Sequence, residues 1–145
     1  MSKPILLKSA VELLRTVLTG TLPADSQMDR YFRAHAQMGV RDRGFVAETV
    51  YGCLRRKRLL EYLCRSDACD CLVSAFLLSE GYSARALEEA GFTGDGRALA
   101  ERVRTLDETT LPFAVQTDLP DWLGERLRAQ LGDDETLALA RALNQ

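Results

Sequence analysis

The sequence predicts an all-α fold, a compact bundle of about seven or eight helices. Apolar residues recur at spacings of three and four along most of the 145 residues, and no stretch alternates apolar and polar residues as a half-buried strand does. Residues 68–78 are apolar nearly all round, which is typical of a helix buried on every side. A chain of this length buries roughly 68–70% of its unfolded surface, so its core needs neither a metal nor disulfides.

The first helix is predicted over residues 5–18, where apolar side chains recur at helical spacing, and Gly20 marks its end. A second helix is predicted with Asp25 or Ser26 as its N-cap, because short polar side chains accept hydrogen bonds from the first backbone N–H groups. We expect it to end near Gly39, since glycine commonly follows the last turn of a helix.

The central helix is predicted to start at or beside Asp42 and to carry one apolar stripe. The stripe consists of Phe45, Val46, Val50, Cys53 and Leu54. Four consecutive cations at 55–58 interrupt it, and the leucines that follow resume the apolar pattern out of phase. We therefore expect a bend or a second helix after the cations.

The last third of the chain is predicted to hold shorter helices. Ser83 caps a short helix, and a further helix spans residues 97–106. Residues 109–119 contain a proline and no clear period, which indicates a connecting loop. Two final helices are expected over residues 118–131 and 134–143, both opened by acidic residues that offset the helix dipole.

Charge is distributed unevenly along the chain, and this is its most informative feature. Residues 41–65 hold seven Arg and Lys against three Asp and Glu, a net charge of +4, whereas the whole chain carries −2. Phosphate binding depends on where cations cluster rather than on the overall charge. The segment therefore indicates an RNA-binding surface. The predicted RNA-binding residues are Arg41, Arg43, Arg55, Arg56, Lys57 and Arg58.

An alternative reading of the cations is that they are paired within the protein. Four consecutive residues span most of the circumference of an unbroken helix, so at least one of residues 55–58 must lie near the core. Its stem would then run along apolar surface while its charged group pairs with Asp42, Glu48 or Glu61. Phosphate contact and internal pairing both remain open at this point.

No catalytic, cofactor-binding or metal-binding residue is expected in this chain. The glycine-rich residues 91–96 follow a helical segment rather than a buried strand, which favours a connector over a nucleotide loop. His35 is the only histidine and has no partner set for proton transfer. The cysteines lack the spacing of zinc ligands, and we expect them to be reduced, apolar residues. They are Cys53, Cys64, Cys69 and Cys71.

The sequence also bears on cellular location. No apolar run approaches the roughly 20 residues of a membrane span. The N-terminus has a lysine inside its apolar stretch and no small-residue cleavage site. We expect a cytoplasmic protein without a membrane partner.

Residues 41–63, RDRGFVAETVYGCLRRKRLLEYL, resemble the central motif of NusB-like domains. The matching residues are Arg43, Phe45, Glu48, Val50, Tyr51, Gly52, Leu54 and Arg55. Two kinds of protein carry this motif: a free-standing transcription antitermination factor, and the N-terminal domain of RsmB/Sun-type RNA cytosine-5 methyltransferases. Residues 119–145 look like the helical segment that joins the second kind to its catalytic domain, with matches at Pro120, Trp122, Leu123, Leu143 and Asn144. The chain departs from the pattern at Gly44, where another basic residue is usual.

The resemblance implies a domain organisation and a function. Residues 1–115 would be a NusB-like RNA-binding helical domain, and residues 116–145 a helical linker to a methyltransferase domain that is absent from this chain. The chain would orient a ribosomal or transfer RNA for its own C-terminal methyltransferase domain. S-adenosylmethionine is implied for that absent domain and no cofactor for this chain. None of the four cysteines matches the family's catalytic motifs.

Two other functions are compatible with the sequence. One is a protein-interaction module, in which the helical bundle docks on another domain or protein and the cations are paired internally. The other is a free-standing antitermination-like factor, which requires the protein to end at Gln145.

Overall fold

The structure is a computed structural model that describes residues 6–107, 111, 115, 132 and 137–140. These residues form helices, turns and loops, and no strand occurs among them. The helices are α1 (Leu7–Thr19), α2 (Ala24–Ala34), α3 (Val40–Arg55), α4 (Lys57–Cys64), α5 (Cys69–Ser79), α6 (Ala84–Glu89) and α7 (Gly96–Arg104). Residues 137–140 are also helical. The prediction of an all-α bundle with seven or eight helices is confirmed.

Helix α5 forms the centre of the bundle, as its apolar sequence predicts. Residues 72–77 are buried without interruption, and α1, α3, α4 and α7 all pack against this helix. An α-helix exposes neighbouring residues on different sides, so six consecutive buried residues require cover on every side. The other helices are arranged to supply that cover.

Helix α1 covers α5 with the apolar face that its spacing predicts. Leu13 and Leu14 are essentially inaccessible to solvent. Burial of a leucine side chain contributes roughly 1.5–3 kcal/mol, so this pair anchors the helix to the core. The helix ends where predicted, because Gly20 has an extended backbone (φ −85°, ψ 165°). Its N–H group still donates to the carbonyl oxygen of Thr16 (2.9 Å), which closes the last turn.

Helix α2 differs from its prediction at both ends. It begins at Ala24, directly after Pro23, so neither Asp25 nor Ser26 is the N-cap. Asp25 instead accepts a hydrogen bond from the Tyr51 hydroxyl and ties α2 to α3. The helix ends at Ala34 rather than near Gly39, because the backbone of His35 leaves the helical range (φ −120°, ψ 54°). Nδ1 of His35 also donates to the carbonyl oxygen of Tyr31 (2.8 Å).

The expected break after the central helix is confirmed, and it falls at Arg56. This residue has φ −120° and ψ 26°, outside the helical range, and separates α3 from α4. Gly39 caps the start of α3 at Val40, two residues before the predicted Asp42. The change of direction at Arg56 explains why the leucines beyond it are out of phase with the α3 stripe.

Helices α6 and α7 are joined by the glycine-rich residues 91–96. Ser83 caps α6 as predicted, and its Oγ accepts from the N–H group of Ala86 (3.1 Å). Asp95 caps α7 in the same way (3.0 Å to the N–H group of Ala98). Gly91 has φ 106°, a left-handed conformation that glycine adopts without strain, and it reverses the chain after α6. The segment is therefore a connector between two helices.

A second apolar cluster lies between α4 and the end of α7. Leu59, Leu63 and Leu111 are buried there, with Val103, Leu106 and Val115 packed against them. Val115 is helical, so the predicted connecting loop at 109–119 is wrong at this position, and two residues of the segment belong to this cluster. The rest of that loop, the predicted helix at 118–131 and most of the helix at 134–143 lie outside the described residues. The proposed division between residues 1–115 and 116–145 stays a prediction.

The crossing of α3 over α5 is closest at Gly52. This glycine is buried, and a Cβ atom placed on it would overlap the ring of Phe76 on α5. Gly44, two turns earlier in the same helix, is exposed, and a Cβ atom there would meet nothing within 4 Å. Packing therefore requires glycine at position 52 but not at position 44.

Replacement of each glycine by alanine separates packing from helix propensity. Gly44→Ala should raise the free energy of unfolding by roughly 0.5–1 kcal/mol, because alanine is the better helix former. Gly52→Ala should lower it by about 1–3 kcal/mol, because the added methyl group displaces the Phe76 ring in a filled core. Urea unfolding followed by circular dichroism measures both changes. Equal stabilisation by the two substitutions would contradict the close crossing.

Candidate nucleic-acid interface

The six predicted RNA-binding residues fall into two groups at opposite ends of α3. Arg41 and Arg43 lie in its first turn, whereas Arg55 closes it and residues 56–58 follow at the break. At 1.5 Å per residue, Arg41 and Arg55 are separated by about 21 Å along the helix axis. The predicted set therefore does not form one compact patch.

Arg43 holds the corner between α2 and α3. Its side chain is half-buried, and its Nε donates to the carbonyl oxygen of Met38 (2.9 Å). Arg41, two residues earlier, is exposed. Because two residues along a helix turn through about 200°, the two guanidinium groups leave α3 in nearly opposite directions. Arg43 therefore stabilises the loop, and Arg41 faces solvent.

The surface between the two groups is acidic. Arg41, Glu48 and Arg55 are spaced by seven residues, so they share one face of α3, with the exposed Glu48 midway. Glu48 and Glu80 both line a cavity of about 220 Å³ between α3 and α5. This pair of carboxylates separates the positive potential at Arg41 from that at Arg55.

The second group forms the basic junction, defined as Arg55, Arg56, Lys57 and Arg58 at the α3–α4 break. Arg55 is exposed and the other three are half-buried. Nζ of Lys57 pairs with Oε1 of Glu61 at 2.9 Å, and Arg56 and Arg58 also interact with other residues of the chain. The prediction that one of the four lies near the core assumed an unbroken helix, whereas the helix breaks at Arg56 and none of the four is fully buried. Internal contacts therefore hold part of the junction in place, and Arg55 is its exposed member.

Helix α4 extends the basic junction along what we call the α4 outer face, formed by Arg58, Tyr62 and Arg65. These residues are spaced by four and three positions and therefore share one side of the helix. Arg65 is exposed and ends α4 in a left-handed conformation (φ 54°). Neither Tyr62 nor Arg65 belongs to the predicted site, although their spacing from Arg58 is visible in the sequence.

A cavity of about 550 Å³ opens beside the α4 outer face, between α4 and the end of α7. Its polar lining comprises Glu61, Tyr62, Arg65, Arg102, Thr105 and Asp107. Nε of Arg102 donates to the carbonyl oxygen of Leu63 (2.7 Å), which holds this guanidinium group in the wall and ties α7 to α4. The volume lies within the range of small-molecule pockets, roughly 300–1,000 Å³.

The four cysteines have free thiols gathered where α3, α4 and α5 meet. Burial raises the pKa of Cys53 to about 12. Burial, and then a hydrogen bond with Cys71, also raise the pKa of Cys64, and burial raises that of Cys69. These three thiols are protonated at neutral pH, and a protonated thiol is a poor nucleophile.

Within residues 6–107 and the other described positions, no three His, Cys, Asp or Glu side chains are placed to hold a metal ion. Residues 91–96 lie between α6 and α7, and the space beside Gly94 is taken by the Phe92 ring. In the described part of the chain no helix has the length and apolar character needed to cross a membrane.

The fold and surface define a class: an all-α helical bundle with a basic junction beside a polar cavity. Comparison of the chain with protein-family models, curated proteins and solved structures found no match. The resemblance to NusB-like domains is therefore carried by the motif residues alone.

Substitution of Arg43 and Arg41 distinguishes the structural cation from the exposed one. Arg43→Ala should lower the free energy of unfolding by about 1–2 kcal/mol, because it removes a charged hydrogen bond to a backbone carbonyl. Arg41→Ala, the matched control, should change it by less than about 0.5 kcal/mol. Urea unfolding measures both values. Equal values for the two variants would show that the Arg43 contact does not stabilise the corner.

Proposed function

We propose that this chain is the RNA-binding, substrate-orienting domain of an S-adenosylmethionine-dependent RNA cytosine-5 methyltransferase. The RNA, ribosomal or transfer, contacts the basic junction and the α4 outer face through its phosphates. The catalytic domain and its cofactor lie outside this chain, and no residue of this chain takes part in the chemistry. The protein works in the cytoplasm.

The concentration of cations at the α3–α4 break carries the proposal. Five cations lie within the eleven residues 55–65, with Glu61 as the single acidic residue, in a chain of net charge −2. Arg55 and Arg65 are exposed at the two ends of this stretch. Electrostatic attraction to phosphates gives sequence-independent affinity and fixes orientation. These are the properties that a substrate-orienting domain requires.

The partly internal use of the cations favours a second function, a protein-interaction module. Arg43 and Arg102 each donate to a backbone carbonyl, and Lys57 pairs with Glu61. On this view the positive charge holds helices together, and the bundle docks on another domain. The two functions differ in whether affinity for RNA survives at moderate salt.

Neutralisation of the junction tests the proposed RNA contact. The triple variant Arg55→Gln, Arg56→Gln, Arg58→Gln should weaken binding of an RNA hairpin. It should also make log K fall less steeply with the logarithm of the salt concentration. The slope should become shallower by roughly 2–3, which is about 0.9 for each lost phosphate contact. Fluorescence anisotropy between about 50 and 200 mM salt measures the slope. Circular dichroism checks that helicity is retained.

The control for this experiment carries the same change in charge elsewhere. Arg30, Arg85 and Arg97 are exposed cations on α2, α6 and α7. Their replacement by glutamine should leave the slope within roughly 0.5 of the original protein, because contact rather than net charge sets the number of released counterions. Equal slopes for the two triple variants would reject the basic junction as the RNA-binding surface and favour the interaction module.

The native mass of the protein tests its place in a larger enzyme. A methyltransferase is expected to give, after immunoprecipitation from its own cells, a mass that exceeds 16.1 kDa by a whole catalytic domain. Intact-protein mass spectrometry makes the measurement. A mass of 16.1 kDa would leave a free-standing NusB-like binding protein and reject the enzyme.

A further inference from the structure

Tyr62 is an exposed aromatic residue on the most basic part of the surface. Its side chain stands on the α4 outer face between Arg58 and Arg65 and retains 48% of its accessible surface. Burial of large aromatic side chains is strongly favourable. An exposed ring therefore stabilises the isolated protein less than a buried ring does. None of the described aromatic side chains stacks on this ring.

The surroundings of Tyr62 suit a nucleotide. Arg65 on its own face and Arg102 on α7 share with it the lining of the cavity of about 550 Å³. Guanidinium groups bind phosphate, and an aromatic ring stacks on any nucleobase because every base has a π-face. The same cavity wall also carries Thr105, the carboxylate of Asp107 and that of Glu61, which pairs with Lys57.

The other exposed tyrosine on the described surface provides a contrast. Tyr82 is 38% exposed, and its ring meets that of Phe45 edge to face, with centroids 6.2 Å apart. It shares its cavity with Glu48 and Glu80. No cation is among the described residues that line this cavity, whereas the cavity beside Tyr62 holds Arg65 and Arg102 together with Glu61 and Asp107. Exposure of a tyrosine alone therefore does not make a nucleotide site.

We propose that Tyr62 is a stacking platform for one unpaired nucleobase, with Arg58 and Arg65 contacting the phosphates on either side and the adjacent cavity receiving the nucleotide. This inference rests on the proposed RNA binding and specifies its ligand: a single-stranded region rather than a continuous duplex. In a paired helix the base faces are stacked on their neighbours and are inaccessible to the ring.

Substitution of Tyr62 tests the platform in the 145-residue chain. Tyr62→Ala should weaken binding to a fluorescein-labelled single-stranded oligouridine by roughly 5- to 100-fold, the effect of losing one base–aromatic stack. Binding to an RNA duplex of equal length should change by less than about twofold, because the phosphate contacts persist. Tyr62→Phe keeps the ring and should retain affinity within about twofold. Tyr82→Ala, the matched control, should leave both affinities unchanged.

The outcomes separate this inference from the proposed function. Selective loss of single-strand affinity in Tyr62→Ala, with Tyr62→Phe near the original protein, supports the platform. If the original chain binds both RNAs with strong salt dependence but Tyr62→Ala loses neither affinity or both equally, the platform is rejected and RNA binding stands. If the original chain binds neither RNA, both proposals fail. Circular dichroism of each variant verifies that it is folded.

Discussion

The complete burial of α5 is the constraint on which the rest of the bundle depends. A helix without a polar side is stable in water only when other helices cover its whole circumference. Four helices pack around it, and α3 approaches closely enough for Gly52 to face the Phe76 ring. Glycine inside a helix costs about 1 kcal/mol relative to alanine. The close packing that it permits offsets this cost.

The position of the basic junction follows from the same constraint. Gly52 fixes the last turn of α3 against α5, and α4 must then place Leu60 and Cys64 in the main core. Leu59 and Leu63 of the same helix enter the second cluster beside α7. With two sides of α4 buried, the chain changes direction at Arg56 and the remaining side faces solvent. The packing of two apolar clusters thereby determines where the cations and Tyr62 emerge.

The sequence predicts the elements of this fold better than their contacts. Apolar periodicity located α1, α5 and the break after the cations, because each depends on residues close together in the chain. Periodicity could not predict the hydrogen bond from Arg43 to the Met38 carbonyl oxygen, since every residue has a backbone carbonyl and the side-chain pattern does not show which one accepts. Nor could it pair Asp25 with Tyr51, 26 residues away, which places that carboxylate outside its predicted capping role.

In the candidate site, too, the sequence predicts the position of the charged residues but not the contacts between helices. The run of cations identified the basic junction, but Arg102 comes from a helix 39 residues beyond Leu63, whose carbonyl it binds. That contact holds α7 alongside α4. The cavity between the two helices is lined by Tyr62, Arg65 and Arg102 together. Charge density marks where an anion is attracted, whereas the shape that can select an unpaired base arises only from the tertiary contact. In the proposed RNA complex, affinity and selectivity therefore have separate physical origins: the first lies in residues 55–65, and the second in the packing of α7 against α4.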